Sequence, residues 1–421
     1  MGPFGHSVAA LAALVGAPVG LAAVALRPSW RPGLRERLGA VPRMAPGALW
    51  VHAASVGEIL AALPLIDRAQ ATGLRVLAST MTLTGRDVFR RARPTVPSTL
   101  APLDHPWCVA AALDRARPRA LVLIETELWP SWIAAAVQRG IPVLVVSARL
   151  SERSFPRYRR LRALLEPSFA RLSAVGARGE SDAERFAELG VPEQRIRVTG
   201  DLKLEPPTRP PQLAEDLSRV LGELPVFVAG STHEAEETAA LGALAAAEQA
   251  GIEAGLVLAP RRPSRSGAVA SEVERSGRRL RRRSALGPEP LAAGEVLLLD
   301  GLGDLAAVYT RASVAFVGGT LADVGGHNLL EPIHAGVPVL FGPSLANTKQ
   351  AAALLLACGA GRRVRDAAEL AAAVVEALRD PSAARARAEA GRRALEEHRG
   401  SAARSLDLVR DVLSHSRDGS A

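Results

Sequence analysis

The sequence is short of several things that would have settled its chemistry at once. Its 421 residues hold two cysteines, Cys108 and Cys358, far apart and in no metal-ligand or redox spacing, so a disulfide scaffold and a cysteine metal site are both excluded and a reducing compartment is implied. Aromatic residues make up only 4% and never interleave with a basic stretch, which removes the stacking platforms on which single-stranded nucleic acids are held, and no nucleic-acid partner is expected. There is no GxxxxGK[ST] phosphate loop, no GxGxxG fingerprint, no GxSxG nucleophile elbow and no HExxH. The eight histidines do not cluster with cysteines or carboxylates at ligand spacing, so no metal site is expected. No two aspartates stand two apart, and the Asp-x-Asp metal site of many sugar transferases is therefore missing.

Apolar residues, at 48%, and charged ones, at 23%, are in the proportions of an ordinary folded protein. The length suggests two or three domains. A formal charge of +9 favours anionic surroundings without choosing among them, and the run Arg278, Arg279, Arg281, Arg282 and Arg283 reads as a solvated charged stretch. From Val8 to Leu26 no formal charge occurs, close to the length needed to span a bilayer, and Arg27, Trp30, Arg31, Arg35 and Arg37 follow it. With no Lys or Arg before it, the positive-inside rule puts the remainder in the cytoplasm. A monotopic anchor would tolerate the same composition, given the internal Gly16, Pro18 and Gly20.

From Leu49 onward short apolar strands alternate with Ala- and Leu-rich helices, the rhythm of parallel α/β sheets. Strands are expected at 49–53, 75–79, 120–124, 142–146 and 174–176, and a second set at 226–229, 255–259, 295–299, 314–317 and 337–341. Between the sets, Leu204 to Pro211 is broken by closely spaced prolines and reads as a linker. The expected division is an anchor over 1–30, one domain over 31–205 and a second over 212–421, terminal helices included.

In such sheets ligands bind beyond the carboxyl ends of the strands, so the turns there carry the functional argument. The first turn, His52 to Glu58, sets Glu58 where a helix should begin. A carboxylate there either complements the helix dipole or serves as a general base. Glu125-Thr126-Glu127-Leu128-Trp129-Pro130 puts two carboxylates beyond an apolar strand. Gly200-Asp201-Leu202-Lys203 ends the first domain with a lysine suited to a phosphate or carboxylate. In the second half, Gly230-Ser231-Thr232-His233-Glu234 has the look of a strand-to-helix turn whose free backbone donors favour an anion, although N-capping explains it nearly as well. Pro260-Arg261-Arg262-Pro263 offers a guanidinium to a phosphate. Gly318-Gly319-Thr320 and Gly325 to Pro332 form a glycine-rich segment in which Glu331 could reach ribose hydroxyls.

Taken in order, these segments, together with Leu34-Arg35-Glu36-Arg37-Leu38-Gly39, Thr80-Met81-Thr82-Leu83-Thr84-Gly85 and Ala148-Arg149-Leu150-Ser151-Glu152-Arg153-Ser154, resemble the Kdo (3-deoxy-D-manno-octulosonic acid) transferases of the KdtA/WaaA family, glycosyltransferase family 30. The resemblance implies a GT-B fold, two Rossmann-like domains facing a central cleft, with an N-terminal membrane-anchor helix. It implies inverting transfer of Kdo from CMP-Kdo to a lipid A precursor (lipid IVA) at the cytoplasmic side of the inner membrane. By the same resemblance Glu58 is the base, Glu127 and Lys203 stabilise the transition state, and Pro260, Arg261, Leu302, Gly303, Asp304, Asn328, Leu329, Leu330 and Glu331 hold CMP. It implies no cofactor. Arg262 stands where the family usually has histidine, and Gly303-Asp304 where it usually has Gly-Glu. The alternatives are another GT-B sugar-nucleotide transferase or epimerase, or a membrane-bound lipid-binding protein without activity.

Overall fold

A computed structural model describes residues 32–126, 128–152, 154–206 and 211–418. The chain divides into two compact units, Met1–Glu205 with His398–Ala421, and Pro206–Glu397. The expected anchor over 1–30 lies outside the described residues. Among those described, no helix is long and apolar enough to cross a membrane.

The first unit is built on a parallel seven-stranded sheet of β1 (Ala48–His52), β2 (Val76–Thr80), β3 (Ser98–Leu100), β4 (Pro118–Ile124), β5 (Val143–Ala148), β6 (Ala174–Ala177) and β7 (Ile196–Val198) in the order β3-β2-β1-β4-β5-β6-β7. Its central strands are buried along their whole length because helices cover both faces. Trp50, Leu121, Leu123 and Val145 feed one core, while the alternate residues Leu49, Val51, Val122 and Leu144 feed the other.

The second unit repeats the plan with β8 (Val226–Thr232), β9 (Gly255–Pro260), β10 (Leu280–Arg282), β11 (Val296–Leu298), β12 (Val314–Val317), β13 (Val339–Phe341) and β14 (Gly361–Arg363), ordered β10-β11-β9-β8-β12-β13-β14. Alternation again splits its cores, Phe227 and Ala229 to one face, Val226 and Val228 to the other. Both sheets reverse direction once, at β1/β4 and at β8/β12, and such reversals open a crevice at the carboxyl ends of the two strands.

One expected boundary moves. The domain written as 212–421 ends at Glu397, and the helix Ser401–Asp418 belongs to the first unit. Leu406, Val409 and Leu413 join the core beneath the helix Val56–Ala71. Arg404 Nε donates to Thr199 O at 3.1 Å, and Ser401 comes so close to Gly200 that a Cβ there would lie 2.3 Å from its hydroxyl. Gly200, at φ +91°, therefore serves this packing. The arginine run of 278–283 is also not simply solvated: Arg278 pairs with Glu248 at 2.7 Å, Arg279 with Glu295 at 3.1 Å, and Arg283 bridges Asp216 and Asp304.

Candidate active site

At the first reversal point, β1 runs into Ala53-Ala54-Ser55 and the helix Val56–Ala71. Ser55 caps the helix by accepting the Glu58 backbone N–H at 3.2 Å, and Glu58 closes a capping box. The half-buried Glu58 carboxylate accepts from Ala54 N–H at 2.8 Å, Ser55 N–H at 3.4 Å and the Ser55 hydroxyl at 2.8 Å. Its orientation is thus held by the turn itself.

Beyond the neighbouring β4, Glu125 adopts φ +63°, a left-handed conformation uncommon for a side chain larger than asparagine. Its N–H donates to Val146 O at 3.0 Å, and its carboxylate lies 2.5 Å from Lys203 Nζ, the lysine being one-third exposed and the glutamate 14%. The Lys203 stem passes beside Gly57, where a Cβ would sit 3.9 Å from its Cε. The turns after β1 and β4 and the segment after β7 therefore converge. Glu127, the other carboxylate of the β4 turn, lies outside the described residues.

Asp201 fixes this convergence. It is 1% exposed, ion-paired with Arg178 at 2.9 Å, and accepts from the Ser147 hydroxyl at 3.2 Å and from Lys203 N–H at 2.9 Å. In the motif ending at Lys203 the aspartate orients the lysine, a role that sequence alone did not separate from the lysine's own. Arg178 and Ser147 carried no motif. Beneath the site, His52 is fully buried between Ser79, with Nδ1 2.9 Å from its hydroxyl, and Trp132, whose ring centroid is 5.0 Å away; burial pushes the imidazole down to about 4.

At the second reversal point the expected anion turn is already filled. Glu236, 1% exposed, accepts the N–H groups of His233, Gly319, Thr320, Leu321 and Ala322 at 2.7 to 3.1 Å. Of the backbone donors that Gly230 to Glu234 were expected to offer an anion, that of His233 is taken by this carboxylate, as are those of Gly319 and Thr320 in the glycine-rich segment. The next residue, Glu237, is also buried; it pairs with Arg265 at 2.7 Å and accepts the Thr232 hydroxyl at 2.9 Å. Two adjacent acids thus open an Ala-rich helix, and packing turns both inward.

Side chains remain to meet a ligand. Pro260 ends β9, and Arg261, exposed, is fixed by its N–H on Thr232 O at 3.0 Å. Asn328 is exposed; its Oδ1 accepts Leu330 N–H and its Nδ2 donates to Glu331 Oε1, both at 3.1 Å. Burial raises the Glu331 carboxyl pKa, with Asn328 and the Arg261 guanidinium opposing. Leu329 and Leu330 are buried, so toward solvent they offer backbone rather than side chain. Leu302 is 76% exposed, Gly303 sits at φ +114°, and Asp304 takes Arg283 Nε at 2.9 Å.

Comparison with known proteins decides the family. The chain is 35% identical to the 3-deoxy-D-manno-octulosonic acid transferase of Bordetella pertussis over 399 residues, 91% of this chain and 92% of the relative. The chain belongs to the Kdo transferase family. The enzyme of that name from Haemophilus influenzae is 32% identical over 92% of both chains, and the family model described as 3-deoxy-D-manno-octulosonic-acid transferase (kdotransferase) matches residues 32–205. Among solved structures, the glycosyltransferase of kitacinnamycin is matched with a TM-score of 0.53 at 19% identity, over 88% of this chain and all of that one. That likeness shows the GT-B fold. This Kdo transferase homologue is a glycosyltransferase, as its family and fold together establish.

Proposed function

We propose that the protein transfers Kdo from CMP-Kdo to a lipid A precursor, lipid IVA, in lipopolysaccharide core biosynthesis, at the cytoplasmic face of the inner membrane. The observation that carries this reading is the match to a Kdo transferase over 91% of this chain, a span long enough that it must include the segments bearing Glu58, Glu125, Lys203, Arg261 and Glu331.

In this reading Glu58 accepts the proton of the acceptor hydroxyl as that oxygen attacks the anomeric carbon with inversion. The hydrogen bonds from Ala54 and Ser55 aim the carboxylate and leave it lone pairs for one further donor. Lys203, oriented by Asp201 and Glu125, and Glu127 stabilise charge that develops on transfer. Pro260, Arg261, the turn Leu302-Gly303-Asp304 and Asn328 to Glu331 hold CMP on the second unit, Arg261 toward the phosphate and Glu331 toward ribose hydroxyls. A leaving group with one phosphate makes no demand for a metal bridging two, so neither metal nor cofactor is part of the proposal.

A membrane-side acceptor suits the helices Phe155–Arg160 and Arg162–Phe169, where Leu164 is 74% and Leu161 42% exposed amid Arg157, Arg159, Arg160 and Arg162. Exposed leucines among arginines fit an interface of acyl chains and anionic head groups. The donor half of the proposal is tested by titration calorimetry: CMP binds and UDP does not. Binding of UDP in preference to CMP would replace this reading with a UDP-sugar enzyme of the same fold.

A further inference from the structure

Beyond the nucleotide contacts lies a feature that the reaction as written above leaves unused. His233, after β8, and His327, in the glycine loop after β12, bring their Nε2 atoms to 2.9 Å. Their ring planes differ by only 5° and their centroids are 5.2 Å apart. That separation exceeds the nitrogen distance by about two imidazole radii, so the rings meet edge to edge in one plane, joined by an N–H···N hydrogen bond rather than stacked face to face.

Such a bond holds a single proton. One ring donates from Nε2 and the other accepts there, so a second proton on that line would break it. An added proton can enter only at an Nδ1, after which its charge is spread over the pair and a further proton is repelled. The pair is therefore a unit that takes up one positive charge. The charged groups acting on His327 are Arg261 beyond β9, His233 beyond β8 and Glu236 at the start of the helix Glu236–Gln249; Arg261 also acts on Glu331 in the helix Leu330–His334. Burial first, then Arg261 and His233, push His327 down to about 4, with Glu236 opposing. His327 is accordingly uncharged near neutrality, and an anion that neutralises Arg261 removes one cause of that depression.

We propose that His233 and His327 act as one proton-accepting unit beside the donor's phosphate, taking up a single proton when a nucleoside monophosphate group docks at Arg261. The proposal rests on the reading of the second unit as the CMP-sugar site. With the backbone donors around Gly319 taken by Glu236, side chains must supply the positive charge. When the bond between the anomeric carbon and the phosphate oxygen breaks, its electron pair stays on that oxygen and the phosphate passes from one negative charge to two. The acceptor oxygen forms the new glycosidic bond and gives its proton to the base. The pair, charged by a proton from solvent, faces the second negative charge as it appears.

The test is CMP binding to the full chain by calorimetry in two buffers of different ionisation enthalpy, at a pH well above the second phosphate pKa of about 6, so that the nucleotide itself brings no proton change. Wild type takes up on the order of one proton per CMP, while His233→Gln and His327→Gln bind roughly tenfold more weakly, as loss of one charge-assisted contact implies, and take up almost none. Histidine ring NMR on the wild type reads the same event without substitution, a 233 or 327 resonance moving to the imidazolium position on CMP addition. CMP binding without proton uptake, or uptake unchanged in both variants, overturns the proposal and leaves the donor reading standing. Failure of CMP to bind the wild type overturns both.

Discussion

Lys203 Nζ lies 2.5 Å from the carboxylate of Glu125, a residue held at φ +63° beyond β4, so the cation and the strained backbone define one another's position. Removing the lysine leaves a largely buried carboxylate without its partner. Lys203→Ala is expected to lower the stability of the first unit by about 1–3 kcal/mol and to reduce transfer at least a hundredfold. CMP affinity, carried by the second unit in this account, is expected to stay within about twofold. Denaturant unfolding, steady-state kinetics and calorimetry check the three parts.

Glu236 presents the same kind of dependence at larger scale, since five backbone N–H groups converge on one buried carboxylate. Glu236→Gln turns one acceptor oxygen into a donor facing donors. The variant is expected to lose more than about 3 kcal/mol and all measurable CMP binding. A stable, CMP-competent variant would show that the loop does not depend on this carboxylate.

Gly230 has no room for a side chain: a Cβ would stand 2.0 Å from the Tyr309 hydroxyl oxygen and 2.9 Å from its Cζ. Tyr309 is buried and cannot swing away freely. Gly230→Ala is expected to cost about 2–4 kcal/mol, and adding Tyr309→Phe, which deletes the nearest clashing atom, to recover part of it. Equal loss in the single and double variants would place the strain elsewhere.

Buried His52 makes the first unit pH-sensitive. Its folded pKa, about 4, lies below the ordinary 6.5, so the unfolded chain binds the proton more readily. The associated stability is fully present above pH 6.5 and is lost as the pH falls toward 4, to a limit on the order of 3 kcal/mol. All five tryptophans lie in the first 132 residues, so tryptophan fluorescence in urea follows this unit alone. The midpoint is expected to fall over that window, and the fall to be much smaller in His52→Gln.

Much of this architecture was legible in the chain. Every strand expected from an apolar run is present, because a parallel strand covered on both faces must be apolar throughout. The four strands that were not expected, Ser98–Leu100, Ile196–Val198, Leu280–Arg282 and Gly361–Arg363, are three residues each and occupy the outer edges of the two sheets. An edge strand has one neighbour and half its surroundings open, so it needs neither length nor hydrophobicity, and Arg281, Arg362 and Arg363 serve in it well. The break near Leu204 to Pro211 was visible through its prolines, and the units part at Glu205. The last helix was misplaced because amphipathic periodicity states that a helix has a buried face and not which core receives it.

The site was legible in a different degree. The turns after β1, β4, β8 and β12 were marked by residues that no core requires, whereas Asp201, Glu236 and Glu237 were hidden because burial of an acid depends on partners distant in sequence. Glu58 had both readings open, and the capping box with Ser55 shows the helix-start one in place; a carboxylate aimed by a helix start can also take a proton.

The central claim is that this chain joins Kdo to a lipid, with the Glu58 carboxylate taking the acceptor proton. Incubation with CMP-Kdo and a tetraacylated lipid A precursor, followed by mass spectrometry of the lipid, tests it most directly. The account predicts a lipid heavier by whole Kdo residues with wild type, and unchanged lipid with a Glu58→Gln variant that still binds CMP. Unmodified lipid with the wild-type protein, or equal turnover by the variant, would contradict it.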